Sequence, residues 1–280
     1  MYINIFWIYL LFFSCKVGQG QDFSFLEIKK LSQKVKENSG LVIYDNKVYT
    51  HNDSGDGPNV YSFPLENPEN VTKTKLKKAD NTDWEDIAFD GRNLYVFDTG
   101  ANKSKRKKMA YYTVPIKNVV GNEIFPGEFE KTVFKFKNEY DKTKKINCEA
   151  VTYIDDKLIF LSKSKSKKAE LYQANPGEEE AQYITEVKIP FEVTGATTYN
   201  EQIFFCGYRK IGDNIYFSRI GSLKKSPKEG WGNPVLTVYE GQLKGQCEGI
   251  FIENEILYLS TEQNLLSPPK LYVMELNKLK

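Results

Sequence analysis

The chain has 280 residues, with 39 Lys plus Arg against 37 Asp plus Glu and a formal net charge of +2. That balance gives no whole-chain electrostatic case for nucleic acid. One histidine, no Gly-x-Ser-x-Gly elbow, no zinc-ligand spacing and no Gly-rich phosphate loop argue against Ser or Cys triads, zinc centres and P-loop chemistry.

In chain order, the first segment is residues 1–21. Its apolar run is too short and too N-terminal for a membrane span and reads as an export signal. The run ends Phe12-Phe13-Ser14-Cys15-Lys16, which resembles the lipobox of bacterial lipoproteins, with Cys15 as the lipidated residue. A cleaved secretory signal without lipid is the alternative. Either form places residues 22–280 outside the cytoplasm, as a secreted or periplasmic protein or a lipoprotein of the outer membrane or cell surface. Any membrane association would then run through the lipid at Cys15.

Next comes LEIKKL from Leu26, a strand that belongs to no repeat. After it, one pattern recurs five times: SGLVIYDNKVY, EDIAFDGRNLYV, EAVTYIDDKLIF, TGATTYNEQIFF and EGIFIENEILYL. Counted from the anchors Ser39, Glu85, Glu149, Thr194 and Glu248, a second apolar run begins nine residues on, at Val48, Leu94, Leu158, Ile203 and Leu257. Two β-rich runs around Asp45-Asn46, Asp90-Gly91, Asp155-Asp156, Asn200-Glu201 and Glu253-Asn254 predict five hairpins. Third strands carry Tyr61, Tyr112, Tyr172, Tyr216 and Tyr272, and fourth strands are expected near residues 75, 132, 183 and 235. The fifth copy runs out of chain before its fourth strand, and LEIKKL can supply it. The expected fold is all-β: a single five-bladed β-propeller over residues 22–280, closed by the N-terminal strand. A monomer is expected.

First strands of propeller blades line the central channel, so the five anchors would meet as a ring of oxygen donors. Three converging carboxylates repel and lose hydration unless protons or a cation offset them. An all-oxygen set suits Ca²⁺, giving Ser39, Glu85, Glu149, Thr194 and Glu248 as expected metal ligands. Hydrated polar groups filling the channel mouth are the alternative. Residues 13 to 16 past each anchor should rim the same face. There Asp53 and Asp98 are candidate bases. Asn52, Arg106, Lys163, Lys165 and Arg209 are candidate holders of a small anionic ligand. Asn52 to Gly57 also reads as an ordinary turn-forming run, and the basic runs at 103–108 and 163–168 as solvated loops. His51 reads as a packed ring. Of the cysteines after Cys15, namely Cys148, Cys206 and Cys247, an odd number leaves at least one thiol unpaired, and buried small side chains are expected.

On Ser39-Gly40-Leu41, Glu85, Glu149-Ala150-Val151, Thr194 and Glu248-Gly249-Ile250, the chain resembles the calcium-activated nucleotidases, or calcium-dependent apyrases. That resemblance implies a five-bladed propeller and Ca²⁺-dependent hydrolysis of nucleoside di- and triphosphates. The chain departs from it where those proteins carry Asp-Asp-Arg and this one has Asn52-Asp53-Ser54. With Trp84-Glu85-Asp86 and Asp98-Thr99-Gly100-Ala101-Asn102, it is also similar to uncharacterised exported bacterial propeller proteins. Two functions follow as expectations: a Ca²⁺-dependent hydrolase of phosphate-containing or other anionic small substrates, or a noncatalytic propeller that binds a ligand or protein partner and keeps a structural ion.

Overall fold

The structure is a computed structural model that describes residues 23–53, 55–101, 106, 108–138, 146–163, 165–212, 215–265 and 267–279. The export segment with Cys15 lies outside the described residues, as do Ser54, Asn102 and Ser164.

The chain is all-β. The five hairpins are formed by first strands Asn38–Tyr44, Trp84–Phe89, Cys148–Ile154, Glu192–Tyr199 and Cys247–Glu253, each antiparallel to the next strand in sequence. Type I′ turns need two residues with positive φ. Asp45-Asn46, Asp155-Asp156 and Asn200-Glu201 supply them, with φ between 47° and 59°. In the last hairpin the pair is Asn254-Glu255, one residue later than the sequence pattern places it, because Glu253 still pairs with Ile256. The second hairpin turns on Gly91, and Asp90 Oδ1 accepts the backbone N–H groups of Arg92 and Asn93 at 2.7 and 2.6 Å.

The third-strand tyrosines all fall on strands that pair with the second, and four fourth strands follow at Thr72–Leu76, Glu130–Lys137, Glu180–Val187 and Gly230–Val238. The strand Glu27–Lys30 takes the outer place beside Lys270–Glu275, so the first and last strands of the described chain share one sheet. Two outer edges carry pairings that the repeat does not encode. Asn122–Ile124 runs parallel to Thr72–Leu76, and Lys135 to Lys137 pair in parallel with Glu180 to Gln182, joining two four-stranded units into an eight-stranded sheet. Covering an outer strand in this way removes an exposed edge.

The first strands contact one another in a cycle that returns from Cys247–Glu253 to Asn38–Tyr44. The apolar core is correspondingly divided. One cluster packs Val42 and Val60 against Trp84, Ile87 and Tyr112, and another packs Ile250 and Tyr272 against Phe204 and Ile220. At the axis, Asp86 is 1% exposed. Its Oδ1 accepts Ile87 N–H at 2.8 Å, and its Oδ2 accepts Val151 N–H at 2.7 Å and Ala196 N–H at 3.1 Å. One carboxylate therefore ties three first strands together. Burial still pushes its pKa well above the usual carboxylate range, with those three donors opposing.

Candidate functional site

Every first strand breaks register at its anchor. The pairing shifts between Ser39 and Val42, Trp84 and Asp86, Cys148 and Ala150, Val193 and Gly195, and Cys247 and Gly249. A bulge leaves a residue unpaired and re-aims its side chain. Here the unpaired residue is the anchor itself at Glu85, Glu149, Thr194 and Glu248, which accounts for a polar residue in an otherwise apolar strand, whereas Ser39 still pairs with His51 and the break falls at Gly40 and Leu41.

The anchors do not form an even ring. The two hydroxyls stitch neighbouring first strands: Ser39 donates to Glu85 O, and Thr194 donates to Cys247 O at 2.5 Å. Ser39, Glu85, Glu149 and Glu248 line a polar cavity of about 160 Å³, together with Glu37, Asp53, Glu262 and Tyr208, and among the described residues Lys163 is the only cation on its wall. Thr194 is fully buried away from that wall.

Within the cavity the charge separates into two halves. On one side, Lys163 Nζ stands 2.5 Å from Glu149 Oε2 and donates to Tyr208 OH at 2.9 Å, while Asn147 donates to Glu149 Oε1 at 2.7 Å. Burial works against the Lys163 charge, but Glu149 and Glu248 outweigh it and hold the ammonium above its usual pKa. On the other side, oxygens of Asp53, Asp83 and Glu85 all lie within 4.8 Å of one another. Glu85 Oε1 is buried and, among the described residues, accepts no hydrogen bond. Burial first, then Glu149, Asp53 and Asp83, push the Glu85 carboxyl well above the usual range. Burial likewise lifts Glu248, with Lys163 opposing, and moves Glu262 up to about 7.

A carboxylate cluster containing a buried oxygen without a partner fits an oxygen-liganded hard cation such as Ca²⁺. Gly100 keeps the cluster open, since a Cβ there would collide with Glu85 Oε1 and the Asp83 carboxylate. Asp98, 3% exposed, accepts Asp83 N–H at 2.9 Å and Arg106 Nη1–H at 2.8 Å. Arg106 also donates to Gly100 O at 3.2 Å and Asp98 O at 3.1 Å. The Asp98 contact sets Asp83 beside Glu85.

The remaining rim residues are dispersed. Asn52 donates to Lys34 O and to Asp56 and accepts Glu37 N–H at 3.2 Å, which fixes the loop that carries Asp53. Lys165 and Arg209 are exposed and off the cavity wall. His51 is buried edge-on to Trp84, at 5.5 Å between ring centroids, and burial holds it down to about 4. The thiols of Cys148, Cys206 and Cys247 are free and buried. Sequence spacing does not single out Asp83, Glu262 or Tyr208 as site residues. Asp83 stands two residues before an anchor, a position that is acidic in two other copies, Glu37 and Glu192, and an amide in Asn147 and Gln246, so it is not distinctive; Glu262 and Tyr208 fall in the rim windows without a distinguishing motif.

No protein-family model and no curated protein sequence matches the chain. Among solved structures, it is similar to Myxococcus xanthus glutaminyl cyclase at 13% identity and a TM-score of 0.50, over 90% of this chain and 95% of that one. The WD40 repeats of RRP9 align at 8% identity and 0.47, over 94% and 100%. A putative oxidoreductase (glucose dehydrogenase) of Thermus thermophilus aligns at 9% and 0.47, over 89% and 99%. At these identities the likeness concerns fold alone, and the chain is a propeller-like all-β protein.

Proposed function

We propose that the protein is an exported five-bladed β-propeller, closed by its N-terminal strand and tethered by lipid at Cys15, whose axial mouth binds Ca²⁺ and acts on phosphate-containing small anions. Five first strands in cyclic contact and the pairing of Glu27–Lys30 with Lys270–Glu275 support the blade count and closure. The observation that carries the metal is Glu85 Oε1, buried and without a hydrogen-bond partner among the described residues, beside Asp53 and Asp83. In this reading the primary ligands are Asp53, Asp83 and Glu85, and the Lys163 ammonium offsets Glu149 and Glu248.

Bound Ca²⁺ supplies an electrophile and neutralises phosphate charge. The residues of the chain do the rest. Asp98, itself paired with Arg106, positions Asp83, Lys163 balances the far wall, and Glu262, titrating at about 7, accepts a proton at neutral pH. The test is phosphate release from nucleoside di- and triphosphates in Ca²⁺ and in EDTA. Release that is lost in EDTA and in Glu85→Gln supports hydrolysis. No release from folded, Ca²⁺-loaded protein contradicts it.

One observation favours the second reading, a noncatalytic propeller with a structural ion. Asp98 and Arg106 spend polar atoms on each other and on backbone groups, and Asn52 on backbone groups and Asp56. A ligand bound with no turnover is the result that reading predicts.

A further inference from the structure

The polar mouth and an apolar groove share an aromatic wall. Tyr208 of the mouth packs edge-on against Tyr216, with ring centroids 5.3 Å apart, and Tyr216 lines a groove of about 750 Å³. The groove lies between Glu27–Lys30, Ile215–Ser226 and Lys270–Glu275, and its floor is Phe23, Phe25, Phe217, Leu243 and Tyr272.

Its lip is unusually apolar for an exposed surface. Leu26, Ile28, Ile211, Ile215 and Leu265 are between 51% and 85% exposed. Backbone geometry gathers them. Ile28 lies on the edge strand and lines the groove, and Leu26 stands just before that strand, its N–H donating to Val273 O at 2.7 Å. Ile211 and Ile215 flank the end of one hairpin, and Leu265 lies inside the Asn264–Ser267 bridge whose ends line the groove. Lys244 and Lys270 also line it, and Lys210 Nζ lies 6.0 Å from the Tyr216 ring centroid. Among the described residues, none of these three lysines has a carboxylate within 4.0 Å.

A contiguous apolar patch marks an interaction surface. Exposed aliphatic side chains set among lysines without carboxylate partners match the interface of an anionic bilayer, where apolar burial and attraction to headgroups add. The position of the chain agrees. Phe23 lies in the groove, and Cys15 is eight residues earlier, at most about 28 Å of extended backbone. We infer that this groove and its lip are a membrane-docking face that seats on an anionic lipid surface and holds the axial mouth beside the headgroup layer. The Cys15 argument rests on the export reading proposed above, whereas the composition of the face does not.

Hydrogen exchange of the full chain, without Ca²⁺, on phosphatidylcholine vesicles, on vesicles containing about one-quarter phosphatidylserine, and in detergent tests the assignment independently of the metal. Exchange across 26–30 and 264–272 should slow at least about threefold on the anionic vesicles relative to detergent, with 118–124 unchanged. Lys244→Glu/Lys270→Glu should remove that difference while melting like the parent. Equal exchange in all three media, or slowing only at segments away from the groove, overturns the inference. Slowing in detergent that grows with protein concentration would make a second copy of this chain the occupant and overturn it as well.

Discussion

Lys163 Nζ lies 2.5 Å from Glu149 Oε2 on the wall of a cavity whose other described charged groups are all carboxylates. The ammonium is the internal counter-ion of the axial mouth. Removing one partner of a buried pair leaves the other charge uncompensated and costs about 3–5 kcal/mol. Lys163→Met should lose stability of that order in urea unfolding with EDTA present, and millimolar Ca²⁺ should recover part of the loss. An unchanged midpoint in EDTA would show that Glu149 and Glu248 need no counter-ion.

Glu85 titrates above its unfolded value of 4.5 because of burial and three neighbouring carboxylates. A carboxyl raised in the folded state contributes stability that is fully present below the unfolded pKa and lost as pH rises through the folded one. Metal-free protein should therefore lose stability as pH climbs from about 4.5, and Glu85→Gln should lose less. The variant is expected to be the more stable of the two at pH 8 in EDTA and the less stable in Ca²⁺. Thermal melts at pH 5 and pH 8 check both signs.

His51 titrates in the opposite sense. Its folded pKa of about 4 lies below the ordinary value of 6.5, so the stability it contributes is present above pH 6.5 and lost as pH falls toward 4. The full difference is on the order of 3 kcal/mol. The stability difference between wild type and His51→Gln should shrink across that window, as read from urea midpoints at pH 7, 5.5 and 4.5.

Gly100 is a space requirement, because its φ is ordinary while a Cβ would strike Glu85 and Asp83. Gly100→Ala should weaken Ca²⁺ binding at least about tenfold without loss of the β-sheet circular dichroism signal. Gly91, a turn glycine with open space around it, is the control: Gly91→Ala strains a positive φ but should leave Ca²⁺ affinity unchanged.

Much of the fold is legible because a repeated hairpin writes its strand period and its turn residues into the sequence. The anchors at nine residues before Val48, Leu94, Leu158, Ile203 and Leu257 locate all five first strands. The parallel pairings of Asn122–Ile124 and of Lys135 to Lys137 are not legible, since nothing in an outer strand specifies which edge covers it. At the site, the acidic character of Glu85, Glu149 and Glu248 is visible from their register, but their division is not. That division depends on where Lys163 reaches and on Asp83, which Asp98 and Gly100 hold beside Glu85 from another loop. Asp86 is the clearest case. Its neighbours in sequence mark a motif, and only the fold shows its carboxylate joining three strands.

Calorimetric titration of Ca²⁺ into the chelator-treated protein and into Glu85→Gln tests the metal at Asp53, Asp83 and Glu85 most directly. Saturable binding to the wild type with a stoichiometry of about one, weakened at least about tenfold in the variant, is the expected result. No binding to the wild type, or equal binding to both proteins, would contradict it.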